Sequence, residues 1–201
     1  MSRANWSTSS SAEAGGRGWA RSAGIVAAWA LVGCGPAGAD SAGAGALVVE
    51  DCAACDGDCV RRSEPPVESP HTAEPVEYPR YPPSSGPHHP CWTDFGVSSV
   101  ALPTERWVHT LEHGGVVFLF DCPGGCPAEQ AAIEDLVRGL GPFAVSTPAA
   151  APMAAPFVAV AWGEVLELGC VDESALRAFY RDHHDRAPES TSAGPGPSCE
   201  M

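Results

Sequence analysis

Three features of the sequence predict an α/β fold. Val116 to Asp121 (VVFLFD) is a continuous apolar run of strand length. Directly after it, Ala128 to Leu140 repeats apolar residues at Ala132, Ile133, Leu136, Val137 and Leu140, which is helical spacing. Two later apolar runs, Phe157 to Trp162 and Val165 to Leu168, then divide at Gly163-Glu164 as a hairpin would.

Upstream of these elements the chain divides by composition. Residues 1–33 carry Arg17 and Arg21 ahead of the apolar run SAGIVAAWALVG, far short of the roughly 20 apolar residues that span a bilayer. A basic start, a short apolar stretch and small residues at its end predict an export signal. The run closes on Leu31-Val32-Gly33-Cys34, which resembles a bacterial lipobox and makes Cys34 the expected lipidated first residue of the mature protein. Gly35 rather than Asp follows, so the expected address is the cell envelope, at the outer membrane, with a lipid anchor as the membrane partner. Residues 34–50 are small and flexible, a tether. Residues 51–70 hold Cys52, Cys55 and Cys59 and then a Pro/Glu-rich linker. The CxxCxxxC spacing has the look of a metal knuckle, but an oxidising compartment favours disulfides. Setting Cys34 aside leaves an even number of cysteines, at 52, 55, 59, 91, 122, 126, 170 and 199, all disulfide candidates.

Residues 71–190 are expected to be the globular domain, with 191–201 as a tail. Pro82 to Trp92 (PPSSGPHHPCW) is broken by Pro and Gly into an ordered loop. Thr104 is placed to cap a helix over Glu105–His113, which Gly114 and Gly115 end. After the first strand and the helix ending at Gly141, Phe143 to Ser146 is a second short strand, and Asp172 caps a last helix whose apolar face is Leu176, Phe179 and Tyr180. The resulting order, βαβ then ββα, is that of a small thioredoxin-like core, with Pro156 ahead of the third strand and a disulfide-rich extension at the N-terminus. Cys122-Pro-Gly-Gly-Cys126 follows the first strand, but a redox pair is spaced CxxC, with the reactive thiolate at the helix start. A structural disulfide, within the pair or to Cys91 and Cys170, is the plainer expectation.

The chain has no lysine and a formal net charge of −14, which argues against nucleic acid as partner. Histidine carries the chemistry instead. His109 and His113 lie four apart, so on a helix they project from one face and can reach one ion. Glu112 between them is a ligand, a hydrogen-bond partner or a general base; HxxEH is the inverted zinc-peptidase pattern. Alone, this pattern also describes two histidines meeting a helix C-terminus. His88 in the rigid loop, and His71 before it, supply further imidazoles of the kind that bind Zn or Cu. His89, His183 and His184 read as solvated residues, and Met153 as a loop residue packed on the core, or a soft ligand if the metal is copper.

Tyr78 to Trp92 (YPRYPPSSGPHHPCW), Gly96-Val97 and Glu105 to Phe120 (ERWVHTLEHGGVVFLF) together resemble the exported bacterial family known as domain of unknown function 3105. Ala161-Trp162-Gly163 and Phe179 to Glu189 extend the resemblance over roughly residues 71 to 190. On the family's pattern fall His88, His109, Glu112 and His113, with His71 beside them. The resemblance implies membership but no activity, and the many cysteines of this chain depart from it.

The leading expectation is a non-enzymatic lipoprotein binding a Cu or Zn ion through His88, His109, His113, Glu112 and His71. A metal-dependent hydrolase with Glu112 as base, a structural or partner-binding envelope domain, and thiol–disulfide exchange are the alternatives. A shared ion demands that the imidazole nitrogens approach within about 4–5 Å, given ligand distances of about 2.0–2.1 Å.

Overall fold

The computed structural model describes residues 46–190. The expected signal segment, Cys34, Cys199 and the C-terminal tail lie outside them. One mixed sheet of seven strands, β1 (Val48–Asp51), β2 (Cys59–Ser63), β3 (Gly96–Val97), β4 (Val116–Phe120), β5 (Ala144–Pro148), β6 (Phe157–Ala161) and β7 (Glu164–Leu168), runs in the order β1-β2-β7-β6-β4-β5-β3. Three helices accompany it: α1 (Thr104–Glu112), α2 (Pro127–Gly139) and α3 (Glu173–His183). No helix among the described residues is long and apolar enough to cross a membrane.

β4 is an interior strand, parallel to β5 and antiparallel to β6, and all five of its residues are buried. A strand covered on both faces needs no polar alternation, which is why VVFLF reads as an unbroken apolar run. Successive side chains point to opposite faces, so Val116, Phe118 and Phe120 pack with Ile133, Leu136 and Val137 of α2 and Leu176 and Phe179 of α3. Val117 and Leu119 face the other way, onto Trp107, Val108 and Leu111 of α1. Each fully buried Val, Leu or Phe contributes about 1.5–3 kcal/mol. These contacts therefore hold α1 on its own face of the sheet.

The expected βαβ-ββα order is present from β4 to α3, and Asp172 caps α3 by accepting from the Ala175 amide (3.0 Å). Several local expectations differ. Thr104 does not cap α1; Pro103 holds the cap position without a side-chain bond, and the Thr104 hydroxyl engages Tyr81 instead. β5 begins one residue late, at Ala144, and the β6–β7 turn falls at Trp162-Gly163, where Gly163 takes φ +74.

The N-terminal extension is part of the sheet. β1 begins at Val48, inside the stretch expected to be tether, and pairs with β2, which pairs with β7 from Cys59↔Leu168 to Ser63↔Glu164. Cys52–Cys59 closes this hairpin and Cys55–Cys170 ties it to the end of β7. No thiol of the CxxCxxxC stretch is therefore left for a metal. Cys122 pairs with Cys126, and Cys91 is disulfide-bonded as well.

Candidate metal centre

α1 ends at the site. Its last turn presents His109 and Glu112, both buried, and His113 is its C-cap residue. The chain must then turn sharply off the helix. Gly114 does so at φ +87, its amide donating to the Leu111 carbonyl (2.9 Å). A Cβ at Gly115 would lie 2.5 Å from the Thr110 side chain, so the second glycine is fixed by close packing. β4 starts at the next residue and anchors the arrangement in the core.

The loop brings the other ligands. His88 is 0% exposed, and its backbone pairs in parallel with the 70–72 segment through His88 N to Pro70 O (3.2 Å) and Thr72 N to His88 O (2.8 Å). That pairing sets the exposed His71 ring 5.0 Å from the His88 ring and 4.8 Å from that of His109. His71, His88, His109 and Glu112 each offer one ligand atom, and these atoms all lie within 4.8 Å of one another. His113 stands at the edge of this group, its Nε2 2.9 Å from Nε2 of His109.

The tautomers follow from the backbone. Nδ1 of His88 lies 2.8 Å from the Gly86 carbonyl, Nδ1 of His109 2.8 Å from the His89 carbonyl, and Nδ1 of His113 3.1 Å from the Glu189 carbonyl. A carbonyl only accepts, so each Nδ1 carries a proton and Nε2 is left as the acceptor, those of His88 and His109 lying within the ligand group. His88 Nε2 accordingly faces another acceptor, Glu112 Oε2, at 3.0 Å and has no hydrogen-bond donor. His109 and His113 meet lone pair to lone pair. Backbone carbonyls that fix ring orientation in this way are a common support of metal-binding histidines.

Electrostatics keep the rings of His88 and His109 neutral. Burial, and then the His88 charge, hold His109 down to about 3. Burial likewise lowers His88. Burial raises the Glu112 carboxyl, and the Glu189 charge adds to it. A carboxylate at a helix C-terminus is also disfavoured by the helix dipole. Deprotonated imidazoles and a carboxylate converging without a cation are mutually destabilising, and a bound divalent ion reverses the sign of that interaction. The donors are three imidazole nitrogens and one carboxylate oxygen, a set suited to zinc or copper. The group can hold a metal ion.

Other candidates fall elsewhere. Met153 packs on the core cluster of Val117 and Val158, as expected of a loop methionine. His183 lies 4.5 Å from the Phe179 ring, and His184 stacks on Tyr180. His89 contributes through its carbonyl, while its own Nδ1 accepts from the Cys91 amide (3.0 Å). Sequence reasoning missed Gly86, whose role is a carbonyl, and Trp92, whose ring lies 5.2 Å from His109 and 4.7 Å from His113. Glu189, in the sequence only the end of the Phe179 to Glu189 stretch, also meets the site. It accepts from His113 through its carbonyl and donates its amide to the Glu112 carbonyl (3.1 Å).

The profile of one family, described as "Protein of unknown function (DUF3105)", matches residues 70–196, and the chain belongs to that family. No curated protein and no solved structure matches it.

Proposed function

We propose that this member of the family is an exported lipoprotein that binds one transition-metal ion, zinc or copper, without catalysing a reaction. His71, His88, His109 and Glu112 are the ligands, and His113 adjoins them. The observation that carries the reading is the locked tautomer of His88 and His109, which turns two Nε2 lone pairs into the group that holds the buried Glu112 carboxylate. A histidine pair joined by a hydrogen bond needs a proton between its facing nitrogens, whereas the protons of His109 and His113 sit on Nδ1 against backbone carbonyls. The ligand atoms already lie within 4.8 Å, and closing to the roughly 3.3 Å edge of a tetrahedron around zinc takes about 1 Å of side-chain movement.

The position of Glu112 supports binding over hydrolysis. In the HxxEH peptidase scheme that carboxylate works on a metal-bound water, whereas here it lies 3.0 Å from His88 Nε2 within the donor group itself. Cys34 would tether the domain at the envelope through its lipid, at the outer membrane. Mass spectrometry of the mature chain from a bacterial host, with Cys34→Ser as control, tests that anchor.

The direct test of the metal is elemental analysis of protein purified without a histidine tag, beside His109→Ala. One equivalent of zinc or copper in the parent and none in the variant is expected. Equal and negligible metal in both would end the proposal.

A further inference from the structure

We infer that His109, His113 and Glu189 form a second, outer metal position through which the ion enters and leaves the buried one. This rests on the metal reading above. Two donor sets overlap at a single residue. Inward of His109 lie His88, with a fully buried side chain, and Glu112, at 10%. Outward lie His113, at 15%, and Glu189, at 56%. The His113 Nε2 is 2.9 Å from that of His109 and 3.8 Å from Glu189 Oε2. The outer set thus also combines imidazole nitrogen with a carboxylate oxygen, the same donor chemistry as the inner one.

The outer set is built rather than incidental. Residues 185–190 fold back over the end of α1: Asp185 N donates to Gly114 O (2.8 Å), and Glu189 N to Glu112 O (3.1 Å). The Glu189 carbonyl fixes the His113 tautomer, so the same residue orients one donor of the outer position and supplies another. An ion held by His109, His113 and Glu189 at the surface reaches the buried site by exchanging His113 and Glu189 for His71, His88 and Glu112, with His109 bound throughout. His71 is also exposed, and offers the competing route.

The experiment compares Glu189→Gln, His113→Ala and His71→Ala with the parent, loaded with zinc, by stoichiometry at equilibrium and by the rate of zinc loss to a chromogenic chelator. Glu189→Gln keeps both backbone hydrogen bonds and removes only the charged oxygen. We expect Glu189→Gln and His113→Ala to retain one equivalent of zinc and to release it at least tenfold more slowly, His71→Ala showing no such slowing. Release at the parental rate in Glu189→Gln and His113→Ala overturns the inference and leaves the buried site standing. So does slowing confined to His71→Ala, which would assign the route to that residue. Loss of all zinc in His113→Ala overturns it too, making His113 an inner ligand. A parent that binds no zinc overturns both this inference and the reading beneath it.

Discussion

Nε2 of His109 and Nε2 of His113 lie 2.9 Å apart, and each ring is held by a backbone carbonyl at its Nδ1. Two acceptors at hydrogen-bond distance with no proton between them form a contact that a cation improves. Replacing either ring therefore has different consequences with and without metal. His109→Ala removes a shared ligand, and the expected loss of zinc affinity exceeds the roughly 10- to 100-fold cost of losing a supporting hydrogen bond. The metal-free variant should unfold no more easily than expected for the buried volume removed, because a repulsion goes with the ring. Competition titration against a chelator, paired with urea unfolding of the metal-free forms, checks both halves.

The same burial predicts a pH dependence. In the unfolded chain His109 titrates near 6.5, and in the folded one near 3, so between those values the unfolded state binds more protons. Stability of the metal-free protein must then rise with pH across that window and be lost as pH falls through it. His88, also lowered, adds in the same direction. Glu112, raised from 4.5, opposes them above that value, because its folded form keeps a proton longer. Two imidazoles against one carboxyl leave a net gain from pH 4 to 6.5. Urea midpoints of the metal-free protein at pH 4 and pH 6.5 test it; a higher midpoint at pH 4 would refute it.

The disulfides should rank by the length of chain they close. Cys55–Cys170 spans 115 residues and Cys122–Cys126 only 4. By loop entropy the first is worth about 4–5 kcal/mol and the second about 2 kcal/mol. The long bridge also fastens the β1–β2 hairpin to β7. Cys55→Ser with Cys170→Ser should cost clearly more in urea unfolding than Cys122→Ser with Cys126→Ser. Equal losses would mean that strain or residual unfolded structure, not loop closure, governs both.

How far the sequence reveals this structure varies with the kind of interaction. β4 and α2 were legible because burial on two faces and on one stripe writes an unbroken run and a 3.6-residue period. β2 was hidden by its charges: Arg62 is buried in the sheet only because Glu167 (3.0 Å) and Glu64 pair with it from positions far along or beyond the strand. β1 is exposed at all four residues and carries no alternation, and β3 is two residues long. At the site, the helix spacing of His109 and Glu112 and the loop histidine were readable as side chains. The carbonyls of Gly86, His89 and Glu189 that set the tautomers were not, because a backbone acceptor leaves no residue type behind. Glu189 gains its place only from the return of residues 185–190 onto α1.

That return makes Gly114 the most sensitive backbone position near the site. Its φ of +87 disfavours any side chain, and a Cβ there would fall 2.7 Å from the Asp185 Cα and 2.8 Å from the Ser190 Oγ. Left-handed strain costs about 1–3 kcal/mol, and forcing apart packed backbone adds about as much. Gly114→Ala should therefore lose about 2–4 kcal/mol, against a change within about 0.5 kcal/mol for Gly124→Ala, where nothing lies within 4 Å. The segment displaced is the one that holds Glu189 on His113, so the same variant should also change the rate of zinc release. Thermal unfolding of both variants, with release measured on whatever folds, decides it. A Gly114→Ala protein as stable as Gly124→Ala would show that residues 185–190 do not rest on the end of α1.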